Sequence, residues 1–386
     1  MDICQIATQV ISGEQALAAF RVYRTERIFI LCDSFLTQSG AIDLLTRQIA
    51  PTNQVQVFDD VVPDPNLSGV ARAMAAAVDF QPTVLVAFGG GAAIDTAKGI
   101  AHGAANPGTD IWEFWKRRAP LTRSMPVGVV LTIPAAGSET SDSAVLTNAE
   151  AGEKRGLNTP FNRPAFAILD PLLAATLPVH QVACGVSDIL MHTLDRYFNP
   201  VTDNALTDEL AEALLRVVLR NGPAAVQDPH NETAMSEIMW AGSLSHNGLT
   251  GLGGRKDFAT HQLGHALSEK FDVYHGDSLT AVWSSWARSV MDESPARFAR
   301  FARNVWHVEE ADDTAAALAG IAKQEAFFQS IGMPVRLGEL SCGRQDEAGL
   351  ADLASRCSYG KTRTIGTFRV LDYESILAIY RRANEA

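Results

Sequence analysis

The chain has 386 residues, with 32 basic against 44 acidic side chains and a net charge of -12. That length is too great for one small core and fits two domains, each able to bury a substantial apolar interior, with a cleft between them. The acidic balance repels phosphate backbones and anionic lipid alike, which argues against nucleic acid and membrane surfaces as partners.

The opening stretch MDICQIATQVISGEQALAAF has no basic residue before Arg21, so it lacks the charged start of a secretory signal. Short runs rich in β-branched residues then alternate with helical patterns. The runs are RIFILCD ending at Asp33, QVQVFDD, TVLVAF ending at Phe88, VGVVLTIP, and AFAILDP ending at Pro171. Near-continuous apolar strands such as TVLVAF belong in a parallel sheet covered on both faces by helices. After LLAATLP, ending at Pro178, strand signals almost vanish. The expectation is an α/β domain over 1–178 and an all-helical domain over 179–386, with the boundary near 172–180.

In the second part, TDNALTDELAEALLRVVLRNG places Leu206, Leu210, Leu214 and Val217 on one helical face. Asp203 or Thr207 is expected to cap that helix and Gly222 to end it. TAAALAGIAKQEAFFQSIGMP closes in the same way with Gly332 and Pro334. No apolar run approaches the ~20 residues needed to span a bilayer. Cys4, Cys32, Cys184, Cys342 and Cys357 are scattered with no CxxC pair, which suits free thiols in a cytoplasmic protein.

Two features carry chemistry. VLVAFGGGAAIDTAKGIA reads as a strand, a turn at Gly89, Gly90 and Gly91, and a helix whose first N–H groups can hold a diphosphate. As a dinucleotide fingerprint it is incomplete, because GxGxxG needs glycine where Ile94 stands; three glycines also serve as plain punctuation. Asp33 closes the first of these strands on the expected ligand side of the sheet. Its carboxylate could accept from ribose hydroxyls and repel a 2′-phosphate, favouring NAD over NADP, although taken alone it reads as a turn aspartate.

The second feature is a set of metal-ligand side chains. Asp188 and His192 are four apart in GVSDILMHTLDRYF and project from one helical face. ATHQLGHALSEKFDVYHG adds His261, His265 and His275, three of the chain's nine histidines. One carboxylate with up to three imidazoles suits Fe(II), Zn(II) or another first-row divalent ion. HQLGH lacks the glutamate of HExxH, so it is not a zinc-protease motif.

Together, GGGAAIDTAK, LTIPAAGSET, LDPLLAATLP, SDILMHT and HQLGHALSEKFDVYHG resemble the iron-containing, or group III, alcohol dehydrogenase family; the part from LTIPAAGSET onward most resembles its NADH-dependent butanol dehydrogenase branch, while ILCDSFLTQSG and VVPDP are also similar to its propanol dehydrogenases. The resemblance implies a Rossmann-like nicotinamide-binding domain, then a helical domain holding one metal at the floor of an interdomain cleft. The family's metal ligands fall on Asp188, His192, His261 and His275, and His265 takes the place of a nearby histidine suited to relaying a proton. The diphosphate falls on Gly89, Gly90 and Gly91, with Asp95 and Lys98 completing the signature and Thr132 and Ser138 lining the cofactor site. Asp33 matches an acid found in NAD-favouring members, while Ala92 replaces the usual serine. The implied activity is hydride transfer between NAD(H) and a small primary alcohol or its aldehyde, in a homodimer. The alternatives on related folds are a glycerol dehydrogenase and a dehydroquinate synthase-like lyase.

Overall fold

The computed structural model describes residues 7–22, 24–201 and 203–385, which form two compact units, one ending at Thr176 and the other beginning at Leu177.

The first unit is built on a parallel sheet in the order β1 (Gln9–Ser12), β8 (Phe166–Leu169), β5 (Val127–Leu131), β4 (Val84–Gly89), β2 (Arg27–Leu31) and β3 (Gln54–Phe58). The five apolar runs read from the sequence are β2, β3, β4, β5 and β8. Every residue of β4 is buried, as a central strand covered on both faces requires. One face packs Ile28, Ile30, Val86, Phe88, Val130 and Ile168 into a continuous core. Gly128 in β5 is dictated by packing, since a Cβ there would stand 2.0 Å from the Phe166 ring. Helices α1 (Ser34–Gln38), α2 (Ala41–Thr46), α3 (Leu67–Phe80), α4 (Gly91–Ala105) and α5 (Ile111–Trp115) accompany the sheet.

Three strands were not foreseen. β1 is a four-residue edge segment, and β6 (Ser143–Asn148) pairs antiparallel with β7 (Glu153–Asn158) as a separate hairpin. β7 reads EKRGLN and is largely exposed, so neither apolar continuity nor alternation marks it.

Among its described residues the second unit is helical apart from one isolated bridge, Ile365 to Leu371. Its helices are α6 (Val179–Tyr197), α7 (Ala205–Gln227), α8 (Glu232–His246), α9 (Ala259–Phe271), α10 (His275–Val290), α11 (Pro295–Trp306), α12 (Asp313–Ser330), α13 (Glu347–Cys357) and α14 (Tyr373–Asn384). Phe198 stacks on Phe298 at 4.3 Å and meets Trp286 edge-on. Gly332 ends α12 at φ 78°, as expected.

The reading of α7 needs correction. Leu206 is 75 % exposed and Leu210 and Val217 are half-buried, whereas Leu214 is buried as expected, on a face that also carries Asp208, Ala211, Glu212, Leu215 and Val218. The two acids are compensated: Asp208 pairs with Arg297, and Glu212 with Arg300 and the Tyr197 hydroxyl. A hydrophobicity template cannot see charges satisfied by a helix some ninety residues away. Nor does Gly222 end the helix, which continues through Pro223 to Gln227. A Cβ on Gly222 would come within 2.8 Å of Val186, so this glycine allows α7 to approach α6. At the other end Asn204 is the N-cap, and the Thr207 hydroxyl donates to the Leu252 carbonyl. The described cysteines, Cys32, Cys184, Cys342 and Cys357, are free thiols, and Cys4 lies outside the described residues.

Candidate functional site

In the helical unit, Asp188 and His192 lie one turn apart on α6, His261 is in the first turn of α9, and His275 opens α10. The structure brings these four together. Nε2 of His192, His261 and His275 lies 3.5, 3.6 and 3.6 Å from the same oxygen, Oδ1 of Asp188. Ligand atoms of Asp188, His261 and His275 all lie within 4.8 Å of one another, and His192 joins them at the carboxylate. Atoms held tetrahedrally at about 2.1 Å from one ion stand roughly 3.4 Å apart, so the spacing fits a small divalent cation. Asp188 Oδ1 and His261 Nε2 are buried without a hydrogen-bond partner, an expensive state that a cation relieves.

The surroundings prepare the rings. Nδ1 of His261 makes a short hydrogen bond to Oδ2 of Asp195, which leaves Nε2 to face Asp188 and fixes the ring plane. Burial pulls the His261 value down, but Asp195 and Asp188 outweigh it and bring it up to about 9. Burial, then the rings of His246 and His261, hold His192 well below the ordinary imidazole value. His246, at the end of α8, stacks on His192 at 4.3 Å. Asp257 accepts the backbone N–H groups of Ala259, Thr367 and Phe368, pinning the start of α9. Burial, with the Asp195 charge second, pushes Asp257 up to about 6. His265 is exposed on the next turn of α9, its ring stacked 5.3 Å from that of His275.

Asp195, His246 and Asp257 escaped sequence reasoning. A spacing signal existed for Asp195 alone, which follows Asp188 by seven residues and so returns to nearly the same helical face.

In the sheet unit, β4 ends at Gly89, whose φ of 156° is a region glycine favours. Gly90 is the N-cap of α4 with no side-chain cap, and a Cβ on Gly91 would meet nothing within 4 Å. Open space thus fronts the unsatisfied N–H groups of a 15-residue helix, an arrangement that suits an anion such as a diphosphate. Asp33 follows β2, paired directly with β4, at the point where strand order reverses. Its Oδ1 also accepts from the Leu36 N–H, capping α1.

Asp95, Lys98 and Ser138 form one buried network. Lys98 Nζ donates to the Ser138 carbonyl and hydroxyl at 2.8 Å and to the Ser143 carbonyl at 2.7 Å, and Ser138 donates to Asp95 at 2.7 Å. Burial lowers Lys98 and raises Asp95, each opposed by the other's charge. The trio fastens α4 to the segment after β5, and Thr132 ties that segment to β4 through its N–H to the Gly89 carbonyl.

Residues 7–171 match the family model for iron-containing alcohol dehydrogenase, and residues 181–384 match that for the C-terminal part of the Fe-containing alcohol dehydrogenase family. The chain belongs to the iron-containing alcohol dehydrogenase family. It is 34 % identical over 349 residues to the probable NADH-dependent butanol dehydrogenase 1 of Bacillus subtilis (strain 168), covering 90 % of this chain and 89 % of that one. It is 31 % identical over 337 residues to the NADPH-dependent aldehyde reductase YqhD of Escherichia coli (strain K12), covering 86 % and 87 %. The crystal structure of E. coli K-12 YqhD matches the fold with a TM-score of 0.92 at 28 % identity, covering 99 % of this chain and 98 % of that one. This iron-containing alcohol dehydrogenase family member is an oxidoreductase of alcohols and aldehydes.

Proposed function

We propose that the chain transfers hydride between NAD(H) and a small primary alcohol or its aldehyde, using one divalent iron or zinc ion held by Asp188, His192, His261 and His275. The convergence of three Nε2 atoms on one Asp188 oxygen carries the reading. A divalent ion there supplies Lewis acidity, easing loss of the alcohol proton and polarising the aldehyde carbonyl. Asp195 keeps His261 presented through Nε2, and His265, exposed beside His275, passes the substrate proton to solvent. The glycine turn and the first turn of α4 receive the diphosphate, while Asp33 disfavours a 2′-phosphate and so selects NAD. Both NADH-dependent and NADPH-dependent relatives occur by name, so this choice rests on Asp33.

The family resemblance, rather than any observed interface, is the ground for reading the enzyme as a cytoplasmic homodimer. No helix among the described residues is long and apolar enough to cross a membrane, and the net charge of -12 opposes binding to nucleic acid. The deciding experiment supplies metal-reconstituted protein with NADH and C2 to C6 aldehydes and follows reduced-nicotinamide absorbance. Turnover that is lost in Asp188→Ala supports the assignment; metal-independent turnover refutes it.

A further inference from the structure

A second donor set lies nearer the start of α6. His180 and Cys184 are one turn apart on that helix, and Asp277 reaches them from the first turn of α10. Nε2 of His180 stands 3.1 Å from Oδ2 of Asp277 and 3.6 Å from Sγ of Cys184, and that Sγ stands 3.9 Å from Oδ1 of Asp277. For an ion bound at about 2.1 Å by nitrogen or oxygen and about 2.3 Å by sulfur, tetrahedral ligands lie roughly 3.4 to 3.6 Å apart. The observed contacts bracket that range.

The donor types are those zinc takes: an imidazole, a thiolate and a carboxylate, with a fourth position left open. Access is open too, because His180 and Asp277 line a surface cavity of about 460 Å³ together with Tyr274, Glu339 and Ser341. The His180 ring is braced edge-on against Tyr274, with centroids 5.2 Å apart. A Cys-His-Asp nucleophile is the competing use of such a trio. Burial, with the Asp277 charge second, pushes the Cys184 thiol up to about 12, which leaves it a poor nucleophile at neutral pH.

We infer that His180, Cys184 and Asp277 form a second divalent-metal site of zinc type, separate from the Asp188 cluster, whose ion ties the first turn of α10 to α6. As the sulfur–metal bond forms, the Cys184 proton leaves to solvent, so no change of oxidation state is involved. Because α10 begins at His275, an ion here steadies the turn that presents that histidine.

The test is to titrate metal-free, full-length protein with Co(II), counting bound ions by elemental analysis and recording the spectrum. Wild type should bind two ions per chain and show thiolate-to-cobalt charge-transfer absorption, which the sulfur-free Asp188 cluster does not produce. Cys184→Ser should lose that absorption and one ion, whereas Asp188→Ala should lose one ion and keep the absorption. One ion with full thiolate absorption in wild type would sink the Asp188 assignment and leave this site standing. Absence of thiolate absorption in wild type, or absorption that survives Cys184→Ser, overturns the second site.

Discussion

Gly276 presses against Cys184: a Cβ built on the glycine would stand 2.6 Å from Cys184 Cα and 2.9 Å from its carbonyl oxygen. The obstacle is backbone of α6, which cannot rotate aside as a side chain would. This close approach lets α10 present His275 to Asp188. Gly276→Ala should therefore cost about 1–3 kcal/mol of stability, the usual range for overpacking, and weaken metal binding as well. Urea denaturation and metal titration check both effects, and unchanged occupancy would show that His275 is placed independently of this contact.

Asp195 should control metal affinity without being a ligand. Asp195→Asn keeps the volume but weakens the hold on His261 Nδ1, and removal of such an outer partner typically costs 10–100-fold in affinity. Competition with a chelator measures the constant. A wild-type value would confine Asp195 to a structural role.

His265→Ala should retain metal, since the ring lies outside the set converging on Asp188, while turnover falls and its pH profile shifts. Elemental analysis with a pH–rate series separates relay from ligation; loss of the ion in this variant would make His265 a ligand.

Asp33→Gly should relax discrimination against NADP. Glycine is a tolerable N-cap, so α1 loses only a few tenths of a kcal/mol and the cofactor preference is read on a folded protein. An unchanged ratio of NAD to NADP kcat/KM would return Asp33 to its capping role alone.

His102 predicts a loss of stability in acid. Its Nε2 lies 2.7 Å from Asn162 Oδ1 and its Nδ1 2.9 Å from the Ser124 hydroxyl. Asn162 is itself oriented by donating to the carbonyls of Leu157 and Asp142. Burial brings the His102 value down to about 4. Between that value and about 6.5 the unfolded chain binds a proton that the folded one refuses, so stability falls as pH drops, by up to roughly 3 kcal/mol. Urea midpoints at pH 7 and pH 4.5 should show this loss, and His102→Gln should reduce it.

Much of the sheet was legible because buried parallel strands are written as continuous apolar runs, and β4 and β5 have no exposed residue to interrupt the pattern. β7 was not, because a polar hairpin strand is specified by its partner β6 rather than by its own residues. In α7 the apolar count misled, since the buried face is paid for by Arg297 and Arg300 on α11. Asp188 and His192 stood out through their spacing within α6, and His261 and His265 through theirs within α9, with His275 following in the same stretch. His246, by contrast, comes from α8, and only folding sets its ring on His192. Lys98 carried a motif signal, but its three hydrogen bonds to residues at least 40 positions away are a matter of tertiary structure.

The Asp188 cluster draws its side chains from three separate helices, so an ion seated there would rivet α6, α9 and α10 at a single point. Such a rivet adds stability in proportion to the logarithm of free metal, about 2.7 kcal/mol at a hundredfold excess over Kd. Heat tolerance would then vary from preparation to preparation with the chelators and resins each one has met, even at constant sequence and buffer pH.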